Sequence, residues 1–114
     1  MEKRYYTRYP ILCDAIVALE SGINFSTEIR DISVEGARIR IYGCPFIKEG
    51  DIVYLNMKCK YRIKLKAQVR WVKNFEKWVE FGVKFIDMST QDQETLSKLV
   101  SEFALSSLSD IYLK

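Results

Sequence analysis

"RIKLKAQVRWV" occupies residues 62–72 and carries the clearest alternation in the chain. Ile63, Leu65, Ala67, Val69 and Trp71 fall on one side of an extended strand, and Arg62, Lys64, Lys66, Gln68 and Arg70 on the other. Side chains of a strand point to opposite faces in turn, so the pattern describes one buried and one solvated face. That is how a strand of an antiparallel sheet is written.

The same period extends to both sides. "KNFEK" (73–77) reads as a turn into "WVEFGVKFI" (78–86), where Val79, Phe81, Val83 and Phe85 share a face. Upstream, "IVYLNMKCK" (52–60), "ARIRI" (37–41), "INFSTEIRDIS" (23–33) and the apolar run Ile11–Leu19 read as strands. Pro10, "ESG" (20–22), "YGCP" (42–45) and "KEGD" (48–51) punctuate them. Short strands recurring about every ten residues predict a small antiparallel barrel. The ending changes period. Ser89 or Thr90 can cap a helix, with Asp92 or Gln93 completing a capping box, and Leu96, Leu99, Val100 and Phe103 form one apolar stripe. "SSLSDIYLK" (106–114) reads either as a frayed helix end or as a second docked turn.

Composition narrows the function classes. A chain of 114 residues, 48% hydrophobic and 29% charged, fits one soluble globular domain. The net charge of +3, from 18 basic and 15 acidic residues, is too balanced to announce a nucleic-acid binder. No apolar run approaches membrane-spanning length and the N-terminus lacks a signal-peptide core, so the expected location is the cytoplasm. Cys13, Cys44 and Cys59 are far apart with no CxxC pair, and read as three reduced thiols. Histidine is absent, which removes the usual general base and a common metal ligand. No P-loop, GxGxxG or GxSxG is present, so the chain reads as a binding protein and not an enzyme, with no metal or cofactor.

Two short segments carry the recognition chemistry. "RYYTR" (4–8) sets Arg4 and Arg8 four positions apart near the N-terminus. "RDISVEGARI" (30–39) brings Asp31, Ser33 and Gly36 to the junction of two strands. Alone, each has an ordinary explanation: solvated charge for the arginines, and side chains capping their own turn for Asp31 and Ser33. Glycine at 36 serves either a positive φ or a close approach of a ligand to the backbone.

In this order and spacing, RxxxR followed by DxSxxG, the chain resembles the PilZ domain family. "KEGDIVYLNM", "RWV" and "FGVKFIDMS" agree with it, so the resemblance spans essentially the whole chain. It implies a six-stranded antiparallel β-barrel with a C-terminal helix, and binding of the bacterial second messenger cyclic di-GMP. It also implies ligand contacts from Arg4, Arg8, Asp31, Ser33 and Gly36, with no departure at any of these positions. The expected organisation is a single domain: a flexible ligand-binding arm over 1–10, the barrel over 11–88, and a helix and tail over 89–114. The output implied is a downstream protein partner controlling motility, surface attachment or exopolysaccharide.

The residues suit that ligand. Guanidinium forks make bidentate, charge-assisted contacts with phosphate and donate to guanine O6 and N7, while a carboxylate accepts from guanine N1–H and the N2 amine. Two alternatives stand beside this reading. Arg62, Lys64, Lys66 and Arg70 with Tyr61 make a basic stripe that a nucleic-acid backbone could follow, although alternation alone puts such residues on a solvated face. Trp71, Phe75 and Trp78 could form a protein-docking patch, although burial preference places them in the core, closing a barrel end.

Overall fold

Amphipathic strands can bury their apolar faces and lose their exposed edges together by closing into a barrel. The computed structural model describes residues 9–43, 45–58 and 61–112, with side chains from 13 to 105 within them. Six strands form: β1 (Tyr9–Leu19), β2 (Asn24–Ile32), β3 (Gly36–Tyr42), β4 (Ile52–Lys58), β5 (Arg62–Asn74) and β6 (Trp78–Ile86). All neighbours pair antiparallel, in the closed order β1-β2-β3-β6-β5-β4. The expected barrel is therefore present. It consists of two three-stranded meanders joined through β3–β6 and β1–β4.

The inner faces supply the core. Val17, Ile29, Ile39, Leu55 and Phe81 are fully enclosed. A single helix, α1 (Thr90–Tyr112), follows and lies against β1 and β5. Its stripe works as the periodicity predicts: Leu96, Leu99 and Val100 join the barrel core and Phe103 packs at its margin. Ser89 is the cap, its Oγ accepting from the Asp92 N–H at 3.0 Å. Gln93 donates to the Met88 carbonyl, so the reciprocal half of a capping box is not made. The helix continues unbroken through the serine-rich segment to Tyr112.

The decisive stretch departs from its own pattern at one point. Ile63, Leu65, Ala67 and Val69 face inward as alternation requires. Between Val69 and Trp71 the register against β6 shifts by one residue, leaving Arg70 as a bulge. An inserted residue reverses the parity of everything after it. Trp71 therefore pairs with Gly82, which faces outward between the buried Phe81 and Val83. The Trp71 indole covers Gly82 so closely that a methyl group there would overlap the ring. Placing Trp71 on the core face with Ile63 to Val69 is thus incorrect: it packs on the outside of the barrel.

A second correction concerns the cysteines. Cys13 is disulfide-bonded and not a reduced thiol, while Cys44 and Cys59 lie outside the described residues. Separation along the chain does not measure separation across a barrel, where pairing brings remote residues within bonding distance. No helix among the described residues is long and apolar enough to cross a membrane, and no cluster of metal-ligating side chains occurs among them.

The Gly82–Trp71 contact makes a stability prediction. Gly82→Ala should lower the unfolding free energy by about 1–3 kcal/mol, the usual range for overpacking. Urea denaturation measures it, and the loss should largely vanish in a Trp71→Ala background, where the ring is gone.

Candidate functional site

The β2–β3 junction carries the second motif. Ile29 and Ile32 are both fully buried although three positions apart, which simple alternation forbids. A bulge resolves this: β2 shifts register against β3 between Ile29 and Asp31. β1 is irregular against the same part of β2, between Pro10 and Cys13. Arg30 is the inserted residue, and Asp31 is thereby turned to the outer face, where its side chain keeps 17% of its exposure.

Ser33 and Gly36 perform a different task. Ser33 is fully buried, and its backbone N–H donates to the Gly36 carbonyl at 2.9 Å. Its Oγ accepts from the N–H groups of Glu35 at 3.2 Å and Gly36 at 3.3 Å, and donates to the Gly36 carbonyl at 3.4 Å. The hydroxyl thus closes its own turn. The Glu35 carbonyl accepts from the Phe85 N–H at 2.8 Å, which ties the turn to β6. Gly36 does not have a positive φ. A Cβ at 36 would overlap the Val83 carbonyl oxygen, so the close approach that requires glycine is that of β6.

Asp31 begins a chain of charges across the outer face. Arg38 Nε donates to Asp31 Oδ2 at 2.9 Å, and Arg38 Nη1 to Glu80 Oε1 at 3.4 Å. Arg40 Nε donates to Glu80 Oε2 at 3.0 Å. Contact with the Tyr42 side chain and then with Glu80 raises the Arg40 pKa above its ordinary value. Glu80 is 6% exposed, and as a carboxylate at such a depth it needs its two cationic partners. The Arg40 guanidinium also lies over the Trp78 ring, 5.0 Å from its centroid, and Phe75 stacks on Trp78 at 5.1 Å. Tyr42, 59% exposed, borders this cluster 6.5 Å from Trp78. Phe75 and Trp78 are therefore surface aromatics and do not plug a barrel end.

The register gathers these residues. Pro10 pairs with Asp31, Asp31 with Arg38, Arg38 with Gly82, and Gly82 with Trp71. One row across four neighbouring pairings thus carries an acid, a guanidinium and an indole. Arg4 and Arg8 lie outside the described residues. Arg8 precedes Tyr9 by one peptide bond, and Tyr9 pairs with Ile32, next to Asp31. Reasoning from the sequence did not single out Arg38, Glu80 or this placement of Trp71. The alternation of "ARIRI" sets Arg38 on the outer face, but no local signal names a partner on a strand 42 residues away.

A family model, the PilZ domain, matches residues 2–102. The chain belongs to the PilZ domain family. No curated protein matches it by sequence. Among solved structures, the PilZ fold recurs in the PilZ domain of YcgR from Escherichia coli with c-di-GMP, at 13% identity and a TM-score of 0.77, covering 96% of this chain and 98% of that one. The MrkH–c-di-GMP complex of K. pneumonia is 18% identical with a TM-score of 0.81, over 96% of this chain and 56% of MrkH. The Bacillus subtilis inhibitor of motility MotI/DgrA is 18% identical with a TM-score of 0.76, over 93% of this chain and 53% of that protein. This PilZ chain spans about half the length of the latter two.

Arg62, Lys64 and Lys66 keep to the outer face of β5, as alternation requires. Lys66 pairs with Asp87 at 3.3 Å, Arg70 is displaced by the bulge, and Tyr61 donates to Glu102 of α1 at 2.7 Å.

The hydroxyl's role in the turn makes a prediction. Ser33→Ala leaves two N–H groups without their acceptor and should destabilise the barrel by about 1–3 kcal/mol, the penalty for unsatisfied buried groups. Thermal or urea unfolding in the absence of any nucleotide measures this loss.

Proposed function

We propose that this PilZ domain is a cyclic di-GMP receptor that acts by binding, without catalysis. The observation that carries the reading is the complete motif pair, Arg4 and Arg8 with Asp31, Ser33 and Gly36, in a chain of this family. Supporting it, Asp31 stands on the outer face beside the start of β1, one peptide bond from Arg8 at Tyr9. The c-di-GMP complexes of YcgR and MrkH, whose folds this chain shares, point the same way.

In this reading the two arginines of segment 1–10 grip phosphates and guanine by their planar forks. Asp31 accepts from the Watson–Crick edge of a guanine. Ser33 and Gly36 hold the β2–β3 turn at the height at which a base meets the backbone. The ligand carries two negative charges, and Arg4 and Arg8 supply two positive ones. Binding orders the segment ahead of Tyr9 across the barrel, changing the shape and charge of that face. A downstream partner reads the change, and the output is motility, surface attachment or exopolysaccharide. The domain works in the cytoplasm, where the messenger is made.

A second reading, a protein-docking module, has one observation in its favour: the exposed Tyr42 and Phe75 around Trp78. It is compatible with the first, since a receptor must present a surface to its partner.

Isothermal titration with cyclic di-GMP at low salt should give saturable binding to the wild-type chain. Arg8→Ala and Asp31→Ala should each weaken it by at least about tenfold, as expected for charge-assisted hydrogen bonds. Circular dichroism should show that both variants keep the barrel. A flat wild-type titration overturns the assignment.

A further inference from the structure

We infer that Arg38 is a third ligand-contacting arginine of the nucleotide site, held in place from behind by Glu80. The inference rests on the cyclic di-GMP reading and adds a residue that neither motif contains.

Arg38 has the geometry of a prepared donor. Its Nε is engaged by Asp31 at 2.9 Å and its Nη1 by Glu80 at 3.4 Å. A guanidinium has five N–H groups, and these two bonds use two of them. With 39% of its side chain exposed, Arg38 offers the remaining donors to an acceptor arriving on the outer face. A solvated arginine must be immobilised when it binds; here two carboxylates on different strands have already fixed the plane of the fork.

Asp31 can serve both partners. An ionised carboxylate has about four lone-pair positions, so accepting from Arg38 does not by itself bar it from accepting from a guanine edge. A base seated on Asp31 therefore lies beside the Arg38 fork, within reach of guanine O6 and N7 or of the adjoining phosphate. Glu80 is the positioning residue. At 6% exposure it cannot be stabilised by bulk water, and its contacts are Arg38 and Arg40. Among the described residues the network joins Asp31 and Glu80 to Arg38 and Arg40. Arg38 contributes direction.

The test is calorimetric titration of cyclic di-GMP into the full chain and four variants, with thermal melts as the control for folding. Arg38→Gln, which removes the charged fork but keeps the aliphatic stem and a polar end, should weaken binding by about ten- to a hundredfold, the range for hydrogen bonds to charged groups. Arg38→Lys keeps the charge but loses the fork, and should remain well below wild type. Glu80→Gln should weaken binding in the same direction. The double variant Arg38→Gln/Glu80→Gln should be no weaker than Arg38→Gln alone, because Glu80 acts through Arg38. A merely structural Glu80 would give additive losses. Wild-type binding with Arg38→Gln within about twofold of it overturns the inference and leaves the receptor reading standing, as does full affinity in Arg38→Lys. Absence of binding by the wild type overturns both.

Discussion

In a closed barrel a strand residue faces either a filled core or the outside, and each step along the chain exchanges the two. This parity constraint governs where every polar group of the domain can stand. Single-residue insertions at Arg30 in β2 and Arg70 in β5, beside the irregularity of β1 between Pro10 and Cys13, break the alternation. The first allows Ile29 and Ile32 to be buried while Asp31 faces outward. The second sends Trp71 out over Gly82. Without them the acid and the indole would point at a core with no room for either. Bulges of this kind re-aim side chains at a small cost in ladder hydrogen bonds.

Once outside, the polar groups hold one another. Glu80 is enclosed by the strands around it and binds Arg40, directly opposite it on β3, and Arg38, two residues along the same strand. This chain of contacts runs through Asp31 on one side and reaches the Arg40–Trp78–Phe75 stack on the other. Individual surface ion pairs contribute little to stability, but a network anchored on a buried carboxylate is rigid, because loosening one member strands the others. The outer face of β2, β3 and β6 is consequently a fixed template and not a collection of mobile side chains.

Much of this was legible in the residues. Period two along "ARIRI" and "WVEFGVKFI" and the stripe Leu96–Leu99–Val100–Phe103 lead directly to six strands and a helix. The motif spacing leads to the family, which the match over residues 2–102 establishes. The bulges were not legible, since an inserted arginine is compatible with an outward position in either register. Trp71 was misplaced for that reason. Arg38 and Glu80 were hidden because their bond joins strands that lie side by side only after the barrel closes. Cys13 was misread in the same way, its bonding being a property of the closed fold.

The Ser33–Gly36 turn changes what the DxSxxG motif can be taken to mean. Its serine is consumed by the backbone of its own turn, and its glycine is dictated by the Val83 carbonyl of a neighbouring strand. Both needs exist whether or not a nucleotide ever arrives. Among barrels built this way, a sequence can abandon its ligand and still retain that serine and glycine for the sake of folding. In this chain the serine and the glycine therefore report on the barrel's own closure, whatever else they touch.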